Sequence, residues 1–110
     1  MEFTINIGLL NNPQTAEELA SYFKDSLGYR LVKYTTNSGS YHDLIEPTFV
    51  ATLETDYVSV SKVIADFEKI CSVLIQDCIA ISSDQFDLLV YAINYYGDKD
   101  KFDSDYFLTI

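Results

Sequence analysis

The chain has 110 residues, close to half of them hydrophobic and 15% aromatic, which gives one domain enough apolar material for a core and excludes wholesale disorder. Seventeen acids against seven bases leave a net charge of −10. That argues against free nucleic acid and anionic membranes, which are held through Lys and Arg, and it favours basic partners or plain solubility.

Residues 2–9, EFTINIGL, alternate strictly. Phe3, Ile5, Ile7 and Leu9 face one way and Glu2, Thr4, Asn6 and Gly8 the other, the pattern of a half-buried strand. The turn cluster NNP follows. TAEE then supplies Thr15 as N-cap and Glu18 three residues on, a capping box that opens a helix over 15–28. Leu19, Tyr22, Phe23 and Leu27 are its apolar stripe, and Gly28 is placed to end it. YRLVKYTT reads as a second strand, and NSGSYHDLIEP as a turn-rich connection. TFVATLE, after Pro47, is a third strand with Phe49, Ala51 and Leu53 on one face. In SVSKVIADFEKICSVLIQD, the residues Val60, Val63, Ile64, Phe67, Ile70, Cys71 and Leu74 form one helical stripe. CIAIS and FDLLVYAI, joined by SDQ, complete the strands.

The order β-α-β-β-α-β plus an extra C-terminal strand predicts an α+β fold. Its economical form is a ferredoxin-like sandwich with two helices on one face of an antiparallel sheet. Residues 1–93 form this single domain, and 94–110 an acidic, aromatic segment folded back on it. The open face of the sheet, with Thr4, Asn6, Gly8, Val50 and Thr52, is small and polar, unlike the aromatic, basic sheets that stack RNA bases.

Catalytic patterns fail in turn. There is no G-x-S-x-G, and a Ser or Cys nucleophile would need His42, a loop histidine beside Asp43, as its base. Loop GLLNNPQT precedes a helix N-terminus but has no arginine, and no phosphate-loop or dinucleotide glycine pattern occurs, so Asn11 and Asn12 read as turn formers. Cys71 and Cys78 lack a CxxC spacing and read as small buried hydrophobes. The segment GDKDKFDSDYF resembles a calcium loop only at first sight: with Asp98 and Asp100 at positions 1 and 3, Phe102 falls at 5, Asp103 at 6 and Thr109 at 12. No enzyme, metal or cofactor is expected. MEFTINIGLL has no basic n-region and no apolar stretch reaches a membrane span, so the expected compartment is cytoplasmic.

An interaction role follows by elimination. Seven of the 17 acids fall in residues 77–110, against Lys99 and Lys101 alone, and aromatics crowd the same stretch. Asp98, Asp100, Asp103 and Asp105, with Tyr95, Tyr96 and Phe102, form the expected partner-binding ridge, suited to a protein with a basic surface. The expectation is a small acidic protein-binding or regulatory domain. Alternatives are a nucleic-acid mimic that inhibits a basic nucleic-acid-binding protein, such as an anti-defence protein of a mobile element, and a dimeric small-molecule sensor. FDLLVYAI carries few charges, so if it lies at a sheet edge it offers a route to a homodimer.

Overall fold

The computed structural model describes residues 1–10, 12–26, 28–41, 44–84 and 87–92. In chain order the elements are β1 (Glu2–Gly8), α1 (Ala16–Lys24), β2 (Arg30–Tyr41), β3 (Leu44–Glu54), α2 (Val60–Val73), β4 (Cys78–Ser82) and β5 (Asp87–Tyr91). The fold is α+β: over the described residues there is one five-stranded sheet in the order β2-β3-β1-β4-β5, every neighbouring pair antiparallel, and two helices.

The alternation in β1 decides which face is covered. Phe3, Ile5 and Ile7 are buried, and the register sets them against Leu53, Ala51 and Phe49 of β3, also buried. Phe3 meets Phe67 of α2 edge-on at 5.8 Å, Phe49 stacks with Phe23 of α1 at 6.4 Å, and Phe23 stacks with Phe67 at 6.1 Å. Both helices therefore lie on the same side of the sheet and share one core. Burying a side chain of this size stabilises by about 1.5–3 kcal/mol, so this aromatic cluster is the main anchor of the helices. The opposite face carries Thr4, Asn6, Val50 and Thr52, all half-buried.

Helix α1 begins as the sequence indicates. Thr15 Oγ1 accepts from the Glu18 N–H, and the Glu18 carboxylate accepts in return from the Thr15 N–H. Its end differs: the helix closes at Asp25, and Gly28 stands beyond it at φ +86°, where the Tyr57 side chain occupies the space of a Cβ. Gly28 is thus fixed twice, by a left-handed backbone and by a tyrosine packed against it. Upstream, Asn12 forms the expected turn, its side chain accepting from the Gln14 N–H and donating to the Gly8 carbonyl.

Helix α2 buries Val63, Phe67, Ile70 and Cys71 with Leu74 at its cap, the stripe read from the sequence. At its end the Gln76 N–H donates to the Cys71 carbonyl (2.9 Å) and the Ile75 N–H to that of Ser72 (3.3 Å), the paired bonds of a Schellman motif. The left-handed position, normally glycine, is Ile75 at φ 56°.

Two expectations need correction. The turn-rich stretch 37–47 is not a loop over its described residues. β2 and β3 stay paired from Asn37 opposite Thr48 to Tyr41 opposite Leu44, forming one long hairpin. Pro47 is tolerated because β1 ends at this point, where its missing N–H breaks no ladder bond. Cys78 is half-exposed rather than buried; Cys71 alone is in the core, its Sγ donating to the Val90 carbonyl at 3.2 Å. The fifth strand of the described sheet, β5, is the expected extra strand and lies beside β4 at the edge.

Candidate functional site

The expected acidic ridge (Tyr95, Tyr96, Asp98, Asp100, Phe102, Asp103 and Asp105) lies outside the described residues, as do His42 and Asp43. Among the described residues, no three metal-ligating side chains converge and no helix is long and apolar enough to cross a membrane. Among the described residues, a groove of about 700 Å³ lies on the outer side of the helix layer, between α1 and α2.

Three tyrosines rim it. Tyr22 projects from α1, where burial pushes its phenol above the ordinary value, and its ring stands edge-on to Phe23 at 5.2 Å. Tyr29 is delivered by the turn at Gly28. Its ring sinks into the core, 5.4 Å from Phe67 and 5.9 Å from Phe3, and leaves 7% of the residue exposed. Tyr57 leads into α2 and meets Tyr29 edge-on at 5.8 Å. Such rings present a large rigid surface for little lost rotamer entropy, which is why tyrosine is favoured at binding sites.

Polar groups tie this rim together. The Tyr29 hydroxyl donates to Asp66 Oδ2 (3.0 Å), while Lys62 Nζ donates to Asp66 Oδ1 (3.1 Å) and sits 5.4 Å from the centre of the Tyr57 ring. Asp66 therefore joins a loop tyrosine to a lysine one turn away on its own helix. Burial first, and then the Asp66 carboxylate, hold the Tyr29 phenol well above its ordinary value, so it stays a neutral donor. Glu18 and Asp25 from α1 face Lys69 from α2 across the groove, leaving one acidic wall and one mixed wall. This arrangement can take an apolar or aromatic group on the tyrosines while its flanking charges meet Glu18 and Asp25.

A second concavity, about 520 Å³, lies along the hairpin at Thr36, Ser38, Ile45 and Pro47 and has few anchoring groups. Glu46, which also lines it, folds over Gly8 and accepts from the Leu10 N–H at 3.2 Å, its carboxylate filling the space a Cβ at residue 8 would need.

The tyrosine groove was not apparent from the sequence. Lys62 and Asp66 stand at the i,i+4 spacing of a helical ion pair, and that spacing was readable. Tyr29 and Tyr57 are 28 residues apart and meet only through tertiary packing. No protein-family model matches the chain, and no curated protein or solved structure matches it either.

Proposed function

We propose that this chain is a non-enzymatic, protein-binding domain with a regulatory role, acting in the cytoplasm. Its partner is a protein carrying a basic segment with an apolar or aromatic anchor, and the docking site is the groove between α1 and α2. The observation that carries this reading is the tyrosine rim: Tyr22, Tyr29 and Tyr57 line one groove and are held by a packed core and the Asp66 bonds. Rigid aromatic anchors beside an acidic wall suit a partner whose cations flank a buried side chain. The net charge of −10 supports the same partner, because it accelerates encounter with basic proteins and disfavours acidic ones. The acids of the segment 94–110, Asp98 to Asp105, add to that field and form a second expected contact for the partner.

The framework supports this reading too. With two helices on one face, the order β2-β3-β1-β4 fits a ferredoxin-like arrangement, extended by β5. Among the described residues, that arrangement has the groove on the outer side of the helix layer.

The test is affinity capture from the native host with the full chain, run beside Tyr22→Ala and Tyr57→Ala. A basic protein captured by the wild type, weakened by both variants and by salt, is the expected result. If the wild type captures no basic protein, or if the variants capture it equally well, the groove is not the docking site.

A further inference from the structure

Among the described residues the sheet has two edges, and they are protected differently. β5 is five residues long and opens on Asp87, an acid in a chain of net charge −10. β2 runs for twelve residues. Its first part carries Arg30, which pairs with Glu54, then a bulge between Leu31 and Lys33, and then Lys33 itself. Charges and a bulge are the usual means of keeping an edge from pairing with another chain. From Tyr34 to Tyr41 none of these remains: the stretch YTTNSGSY has no charge, no proline and no register shift.

The direction of the free backbone groups follows from the register. The Leu9 N–H donates to the Pro47 carbonyl, so the odd-numbered residues of β3 turn their polar groups toward β1 and the even-numbered ones toward β2. Thr35, Asn37 and Gly39, which sit opposite Val50, Thr48 and Glu46, therefore bond inward to β3. Tyr34, Thr36, Ser38 and Ser40 point their N–H and C=O groups outward from the sheet.

We propose that this edge is a self-association surface, and that two copies of the chain pair β2 with β2, antiparallel, across a two-fold axis at Asn37. This register sets Thr36 opposite Ser38 and Tyr34 opposite Ser40, so all four outward residues of each copy find backbone partners. A two-fold contact requires a self-complementary patch, and an antiparallel strand pair supplies one from a single sequence. Charge selects a second copy over a basic peptide here. The stretch holds none of the chain's 17 acids, so it has nothing to attract a basic segment; the nearest charges along the chain are Lys33 on one side and Asp43 on the other. It is thus an uncharged edge of an acidic molecule, along which two copies can pair without setting carboxylates face to face. The surface is separate from the tyrosine groove and does not depend on it.

The full chain should sediment as a concentration-dependent dimer that tightens as salt rises, because salt screens the repulsion between two acidic bodies. Docking of a basic partner in the groove responds to salt in the opposite sense. Thr36→Pro and Ser38→Pro remove outward N–H groups without touching the ladder to β3, and each should weaken the dimer about tenfold or more while the circular dichroism stays unchanged. Asn37→Lys places two like charges face to face at the axis and should weaken it by a similar factor, about tenfold, with the inward ladder retained. Leu89→Lys on β5 should leave it intact. A chain that is monomeric at every concentration overturns the proposal. So does a dimer that survives Asn37→Lys, or one that is lost with Leu89→Lys.

Discussion

Helix α1 has nine residues, enters through a complete capping box and buries three side chains, Leu19, Ala20 and Phe23. Helix α2 has 14 residues, begins at Ser59 without a side-chain cap, ends on a left-handed isoleucine and buries Val63, Phe67, Ile70 and Cys71. The shorter helix joins the same core through Phe23 and Leu19 and adds to it the local bonds at its start. The longer one is fixed by the aromatic cluster around Phe67 and tolerates poor ends. Tertiary burial outweighs end chemistry where there is enough of it, since a buried phenylalanine is worth more than a cap.

Substitutions in the two helices can break or sharpen this contrast. The largest effect is expected at Phe67, whose ring touches Phe3, Phe23 and Tyr29. Phe67→Ala should cost about 3–5 kcal/mol in a denaturant titration. A loss near that of a cap would mean that α2 is not held by burial. Ile75→Gly should act in the opposite direction, raising stability by about 1–2 kcal/mol through relief of the left-handed backbone. Ile75 is 73% exposed, so the substitution removes almost no core packing. An unchanged or lowered midpoint would show that Ile75 is held by contacts beyond its own backbone.

Thr15→Ala removes half of the α1 capping box and should cost about 1 kcal/mol. Thr15→Asp should restore most of it, which separates capping from side-chain size. Lys62→Met breaks an i,i+4 pair with a half-exposed lysine and should change stability by no more than about 0.5 kcal/mol. A larger change would mean that the lysine works mainly through the Tyr57 ring.

Tyr29→Phe is expected to have the smallest effect at neutral pH, with a signature that appears in alkali. The phenol is held neutral in the folded chain, with its pKa raised above the unfolded value. Its contribution is fully present below about pH 10, the unfolded value, and is lost as pH rises from there toward the folded one. The wild type should therefore lose stability above about pH 10 more steeply than Tyr29→Phe does. Parallel alkaline curves would rule that contribution out.

Much of the framework was legible because it rests on local pattern. Alternation at Phe3, Ile5 and Ile7 placed β1, and the Thr15–Glu18 spacing placed the start of α1. The stripe from Val63 to Leu74 placed α2. The long hairpin was hidden because Asn37, Ser38, Gly39 and Pro47 are turn residues by composition and become strand only when β3 offers a partner in register. Gly28 was recognised as an ender of α1, but its nearer reason is the Tyr57 ring against it, a contact 29 residues away. The groove was hidden for the same cause: Tyr22, Tyr29, Tyr57 and Asp66 converge from four places in the chain, and none of them stands in a motif. The acidic ridge expected from Asp98 to Asp105 falls beyond the described residues.

The central position of β1 has a consequence for how the molecule assembles. Its residues pair on one side with Thr48–Glu54 and on the other with Ala80–Ser82. β1 must therefore wait for β4, more than 70 residues further along, before its last ladder forms. Non-local pairing of this kind slows folding. Phe3, Ile5 and Ile7 have no lasting cover while the rest of the chain is made, and on a ribosome they are natural sites for a chaperone to hold.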